Sequence, residues 1–425
     1  MKKGKIQKLI AVGLLLILSF GIIPANTQTV YAKTNSAKYI ELKNAIEKQY
    51  GIKIKLSSEI TKNDREAYYD LLILREALIM MPDGLIKTLV KHFKAKGKET
   101  TVAIYKKELT FGSVVGTYDD KTNTITLYDQ KAAVSIVGSG VEPYYILHEF
   151  GHMVHSALYD IYGYSKLKSE FTKLNGNIKY GSNWDSGYDL VFTRSFAITS
   201  FAEDFAETFS ASLCDSKMLH YIYEENKNAP IIKKSEYIKN IIETKLKVKN
   251  INDAWMIYPQ TPSKKYAEVI NDSYYNYTGT YQYKIKKAAF YQFLCDLWKE
   301  SKLQKYNNDD WDKKLQLEYE AQLEFDDIIE TSKADWEGFI KRKDMALILA
   351  KIMDKAQVDY VTVNKFDCED CNELSGKYMK SIKKVVKAGL MLPKKSNNFK
   401  PESYCTYEEA YYALIKLKEI MLNYN

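Results

Sequence analysis

Apolar residues recur three and four positions apart over residues 37–97. Tyr39, Ile40, Leu42, Ala45 and Ile46 follow this spacing, as do Tyr69, Leu72, Ile73, Ala77 and Leu78. The pattern predicts helices throughout, broken at Pro82-Asp83-Gly84 and resumed to His92. Residues 100–105 alternate as a strand does. Residues 114–118 and 124–128 flank the polar run Asp119-Asp120-Lys121-Thr122-Asn123 and predict a hairpin. A strand at 124–128, or its neighbour, would give an edge on which an extended peptide can pair. Gly138-Ser139-Gly140 then leads into a helix near Pro143, a residue suited to a first turn. Further helices are expected around 196–228 and 232–249. Residues 251–332 are rich in tyrosine, turn helical from Lys284, and read as a connector without an assigned fold. In the helical stretch 333–425, residues 343–351 resemble 408–416, a weak internal repeat. The expected fold class is α+β, with a mixed domain over 33–250 and a mostly helical C-terminal region.

Composition narrows the compartment. Lys2, Lys3, Lys5 and Lys8 precede the uncharged apolar run 9–23, which is shorter than the about 20 residues of a membrane span. With Val30-Tyr31-Ala32 behind it, residues 1–32 read as a signal peptide, and the mature chain is expected to be secreted with no membrane span. Losing those four lysines takes the formal charge from +8 to +4, too little to mark a nucleic-acid binder. The five cysteines are Cys214, Cys295, Cys368, Cys371 and Cys405. Cys368 and Cys371 have half of a zinc-knuckle spacing with no second pair or nearby histidine. A local disulfide or free thiols is therefore expected there, and no disulfide framework overall.

Candidate chemistry is concentrated in one short string. Of five histidines, His148, His152 and His155 fall within eight positions, and His148-Glu149-Phe150-Gly151-His152 has the H-E-x-x-H form. Residues four apart share a helix face, so His148 and His152 can bind one zinc ion while Glu149 addresses a water there. A third histidine at metzincin spacing is absent, since that position is Leu158. A later glutamate is the expected third ligand. In residues 200–209, Phe201, Phe205 and Phe209 form an apolar stripe, and Glu203 and Glu207 stand one turn apart on another. Carboxylates on so apolar a helix call for solvent, a charged partner or a metal.

Taken together, the H-E-x-x-H string and the later run Ala202-Glu203-Asp204-Phe205-Ala206-Glu207 resemble the anthrax-toxin lethal-factor-like zinc metallopeptidases, which include the secreted Pro-Pro endopeptidases. The likeness extends over about residues 37–250. It implies a zincin-type fold and a secreted endopeptidase acting on protein or peptide. One Zn2+ per chain would be held by His148, His152 and Glu203, with Glu149 as general base and Glu207 as a carboxylate behind the ligands. One position departs. Where the family carries a tyrosine beside the metal, seven residues before the zinc glutamate, this chain has Phe196, which lacks the hydroxyl that would stabilise an oxyanion. Two tyrosines are the alternative donors for that role, Tyr188 ahead of Phe196 and Tyr145 just ahead of His148. Within 333–425, the runs 343–352 and 381–390, then Phe399-Lys400-Pro401 and Glu408-Glu409-Ala410, resemble degenerate S-layer-homology motifs, which implies a cell-wall polymer as a partner. Two alternatives to the secreted protease stand: a catalytically weakened protein acting mainly as a wall-binding module, and a toxin-type protease.

Overall fold

A computed structural model describes residues 26–106, 114–128, 142–249, 251–273, 279–304, 311–330, 336–358, 366–395 and 397–423. The fold is mixed α/β and mostly helical, with one small sheet. Helix α1 (Asn26–Tyr50) runs through the expected cleavage point after Ala32. Residues 1–25 of the expected leader and the loop Gly138-Ser139-Gly140 lie outside the described residues. No described helix is long and apolar enough to cross a membrane.

The stretch 37–97 is not all helix. Gly51, in the left-handed region at φ 72°, ends α1, and β1 (Lys53–Leu56) follows. The signal for it was the alternation Ile52, Ile54, Leu56 against Lys53 and Lys55. After β1 come α2 (Ser58–Thr61), α3 (Asp64–Met80) and α4 (Leu85–Ala95), then β2 (Thr101–Tyr105). The expected hairpin forms as β3 (Gly116–Asp119) and β4 (Thr124–Tyr128), antiparallel, with Asp119 accepting from Lys121 N and Thr122 Oγ1 in the turn. Sheet order is β1-β2-β4-β3, with β1 and β4 both parallel to β2. Thus β4 is interior, and among the described residues the edges of the sheet are β1 and β4's neighbour β3. Ile54, Val102 and Ile125 lie in register and are buried.

Helix α5 (Glu142–Tyr162) packs between β3 and a later helix, α7 (Phe201–Cys214), with α6 (Tyr164–Thr172) between them in sequence. Phe150, Met153 and Val154 of α5 and Phe205 and Phe209 of α7 join one apolar core with the sheet. Helices α8 (Ser216–Glu225) and α9 (Pro230–Lys245) complete the expected helical run. This core continues past residue 250. The Trp255 indole is buried, packs 5.8 Å from the Phe209 ring and donates to Ser235 Oγ at 2.9 Å.

The remaining helices are α10 (Lys264–Asn271), α11 (Lys287–Leu303), α12 (Trp311–Ile329), α13 (Arg342–Lys355), α14 (Gly376–Lys387) and α15 (Tyr407–Asn423). They surround a second core, built on a closed ring of three short extended segments. Ile285 N donates to Cys405 O, Cys405 N to Ile340 O, and Ile340 N back to Ile285 O, at 3.0, 2.9 and 3.1 Å. A second ring joins Lys287 N to Gly338 O, Arg342 N to Ser403 O, and Tyr407 N to Tyr283 O, at 3.0, 2.9 and 3.0 Å. Each segment leads into a helix (α11, α13, α15), and each of these packs on a partner: α12, α14 and α10. The repeat seen between 343–351 and 408–416 therefore has a third copy, beginning near Tyr283, inside the stretch read as a connector. Tyr281 is buried and stands edge-on to Tyr411, a packing role. Tyr274, Tyr275 and Tyr277 lie outside the described residues. Cys368 and Cys371 form a local disulfide, while Cys214, Cys295 and Cys405 are free.

The two cores meet along α3. Tyr68 Oη donates to Asp326 of α12, and Arg75 Nη1 lies 4.0 Å from the same carboxylate. The buried Lys286 ammonium donates to Ile79 O at 3.2 Å and lies 3.1 Å from Asp83 Oδ1.

Removing the indole that closes the first core should be felt globally. Trp255→Ala is expected to destabilise the protein by about 3–5 kcal/mol. Urea unfolding should show a lower midpoint at an unchanged slope; an unchanged midpoint would place Trp255 outside the cooperative core.

Candidate metal centre

Two helices make the site, and their close approach depends on one small residue. A Cβ added at Gly151 would lie 2.8 Å from Ala206 Cα, closer than real Cβ atoms come, and 3.1 Å from Ala206 O. The glycine within the H-E-x-x-H string thus lets α5 and α7 cross backbone to backbone. Ser200 caps α7 by accepting from Glu203 N at 3.2 Å, which starts the helix with Glu203 in its first turn. A carboxylate there is favoured by the helix dipole.

The crossing brings three expected ligands together. His148 Nε2 and His152 Nε2 are 3.0 Å apart, and Glu203 Oε2 lies 3.1 Å from the first and 3.4 Å from the second. Glu203 Oε2 is buried and makes no hydrogen bond. Two imidazole nitrogens and a carboxylate oxygen turned on one point form a group able to hold a metal ion. His155 does not join them. Its ring packs on Phe201 and Phe205, at 4.9 and 5.3 Å, and burial lowers its pKa to about 4.

Glu149 is buried one position beyond His148. Burial raises its pKa above the usual carboxylate value, against the pull of His148 and His152. A carboxylate so placed is a stronger base than one in water. Its neighbour across the sheet edge is Gly116 of β3, where an added Cβ would come within 2.9 Å of Glu149 Cγ. The bare backbone of the edge strand therefore lies directly beside the candidate base.

Glu207 stands behind the ligands. Its Oε1 is 3.1 Å from His148 Nδ1, while Oε2 accepts from Arg194 Nε at 2.9 Å and from the Tyr144 hydroxyl. Burial raises its carboxyl, but His148 and Arg194 outweigh this and hold it below the usual value. A carboxylate on the far nitrogen fixes the ring so that Nε2 faces the metal position. Arg194 and Tyr144 were not singled out from sequence. The Arg194 guanidinium also lies 3.9 Å from the Tyr144 ring centroid.

Phe196 lies beside the group. Its ring centroid is 6.0 Å from that of His148, and the side chain is half exposed. Of the two neighbouring tyrosines, Tyr188 packs edge-on to Trp184 and Phe192, and Tyr145 edge-on to Tyr144.

The cluster has a definite pH signature. Burial lowers the His148 pKa, but Glu203 and Glu207 raise it to about 9 overall. Burial raises Glu203, while His148 and His152 bring it down to about 2. Without metal, the His148 contribution to stability is complete below its ordinary 6.5 and is lost as pH rises through about 9. The Glu203 contribution is complete above 4.5 and is lost as pH falls through about 2. A metal ion must displace the His148 proton. Binding near neutral pH is expected to release about one proton per ion, read by titration calorimetry in buffers of different ionisation enthalpy. Binding without proton release would mean that His148 is already neutral. Gly151→Ala should weaken metal binding at least about tenfold and destabilise the fold by about 1–3 kcal/mol, because the two helices must part. Unchanged metal affinity in that variant would show that the crossing does not set the site.

Compared with known protein families, curated proteins and solved structures, the chain matches none.

Proposed function

We propose that the protein is a secreted zinc-dependent endopeptidase with a zincin-type catalytic unit. The observation that carries this reading is the convergence of His148, His152 and Glu203 beside a buried carboxylate and β3, an edge strand among the described residues. Two nitrogens and one oxygen are a donor set suited to zinc with a coordination position left over. A bound zinc supplies Lewis acidity toward a carbonyl oxygen and a water molecule. The chain's own groups do the rest. An extended peptide pairs along β3, with its scissile bond brought past Gly116 to Glu149. Glu149 takes a proton from the attacking water and passes it to the leaving nitrogen. Glu207, held by Arg194 and Tyr144, keeps the His148 ring in line. Phe196 offers an apolar wall where the resembling family has a hydroxyl, which points to slow turnover.

A second reading concerns the C-terminal unit, which we propose binds an anionic cell-wall polymer. The three-copy ring supports it, since S-layer-homology modules usually come in threes. So does charge: residues 374–401 hold eight lysines and no acidic residue. On α14 and after it, Lys377, Lys380, Lys395 and Lys400 are exposed, while Lys394 pairs with the buried Glu409 at 2.6 Å.

Glu149→Gln is expected to keep metal content and abolish cleavage of a peptide library, as chelation does for the parent. Cleavage surviving in Glu149→Gln would refute the assigned base. Glu203→Gln should lose metal far more than Glu207→Gln, for which about 10–100-fold weaker binding is expected. Phe196→Tyr should raise the single-turnover rate by up to about 10²–10³ at unchanged metal affinity. No gain, together with a large loss in Tyr188→Phe or Tyr145→Phe, would show that another hydroxyl serves the oxyanion. Replacing Lys377, Lys380 and Lys395 by glutamate should abolish salt-sensitive sedimentation of the full chain with purified cell walls. Equal sedimentation of that variant would reject the lysine face as the contact.

A further inference from the structure

Residues 191–196 form the rim of the metal centre, carrying both Arg194 and Phe196, yet they belong to no long helix or strand. Short turns hold the segment locally, with Val191 N and Phe192 N donating to Tyr188 O and Ala197 N to Arg194 O, and Val191 and Phe192 pack with Ala197 and Ile198. Side chains tie it to the helices. Arg194 is tied to Glu207 of α7. Thr193 Oγ1 donates to the same carboxylate at 3.4 Å. A further tie comes from a fully buried ion pair between Lys234 of α9 and Asp204 of α7, both sealed from solvent. Lys234 Nζ donates to Asp204 Oδ2 at 2.7 Å and to the backbone oxygen of Val191 at 2.8 Å. Its ammonium also lies 4.0 Å from the Phe192 ring centroid. Asp204 accepts in addition from Tyr180 Oη at 2.8 Å and from Thr208 Oγ1 at 3.4 Å. Asp204 follows Glu203 directly on the first turn of α7. One helix turn therefore sends one carboxylate to the metal group and the next to the lysine that grips the rim.

Desolvating such a pair is unfavourable, and an apolar pair of similar volume is often as stable. Stability alone therefore gives no reason for a charged pair here. The bond to Val191 O does, because only a donor at that place can hold a carbonyl at the start of the rim.

We propose that Lys234, held by Asp204, is a positioning residue that fixes rim segment 191–196 over the metal centre, so that Arg194 meets Glu207 and Phe196 stands beside His148. The effect on turnover rests on the peptidase reading; the effect on the rim does not. The pair touches no substrate in this scheme and acts only through the segment it holds.

The test uses the full chain loaded with zinc. Lys234→Met alone leaves a buried carboxylate uncompensated and serves as the folding control. The informative variant is Asp204→Asn with Lys234→Met, which removes both charges, keeps an acceptor for Tyr180 and deletes the donor to Val191. Amide hydrogen exchange in 189–199 is expected to speed up by about tenfold or more, with parent-like protection in α5 and α7 and zinc affinity within about threefold. Peptide hydrolysis should fall about 10–100-fold in kcat with a smaller change in KM, because the rim is displaced and the ligands are not. Unchanged exchange in 189–199 would overturn the proposal. So would loss of zinc with exchange rising throughout α7, which would make the pair a general fold element. A loosened rim with the parent's kcat would overturn its bearing on the reaction. If the parent itself cleaves nothing, the peptidase reading fails and the exchange measurement still decides the positioning.

Discussion

The close crossing of α5 and α7 at Gly151 is the contact on which the rest of the centre depends. Any side chain at that position would meet the Ala206 backbone, and the two helices would separate. Only at this separation can Glu203 reach the point that His148 and His152 share, and can Glu207 reach the far nitrogen of His148. The apolar stripe Phe201, Phe205, Phe209 drives α7 onto the core, and the absent side chain of Gly151 decides how near it comes. Hydrophobic burial supplies the force, and sterics set the distance.

The same helix solves an electrostatic problem. Three carboxylates lie within its first two turns, in surroundings that penalise unpaired charge. Each has its own answer. Glu203 turns to the two histidines, Asp204 to Lys234, and Glu207 to Arg194, Tyr144 and His148. Because the partners come from α5, α9 and the rim, pairing the charges also aligns those elements. The high pKa of His148 and the low pKa of Glu203 are two views of one contact, which a metal ion replaces when it binds.

The C-terminal unit rests on a different principle. Its three extended segments are too short for a sheet, so their backbone groups are satisfied by closing a ring, each copy donating to the next. Helix α10 comes from before the first copy and packs on α15 from the last, so the ring closes through parts distant in the chain. Lys286 shows how the copies diverge. It is buried against Ile79 O and Asp83, where its counterpart Lys341 pairs with Glu402 at the surface.

Much of this was legible in the chain itself. The H-E-x-x-H string, the hairpin around Asp119 and the glutamate-bearing run at 200–209 are local patterns, and helical spacing alone places their side chains on common faces. The alternation at 52–56 was equally present and was obscured by the helical spacing on either side. Other features had no local signal. Arg194 and Tyr144 matter only because Glu207 lies between them and His148. Lys234 reads in sequence as one lysine of a surface helix. The third ring copy was hidden because its likeness to the others is one of backbone position more than of residue type: Ile285, Ile340 and Cys405 share a place, while Lys287, Arg342 and Tyr407 share another. Sequence determined which groups could do chemistry, since ligand type and helical spacing are properties of neighbours along the chain. Tertiary structure decided which carboxylate meets the histidines, which cation meets each carboxylate and which strands are left as edges, because those depend on distances between segments that only packing brings together.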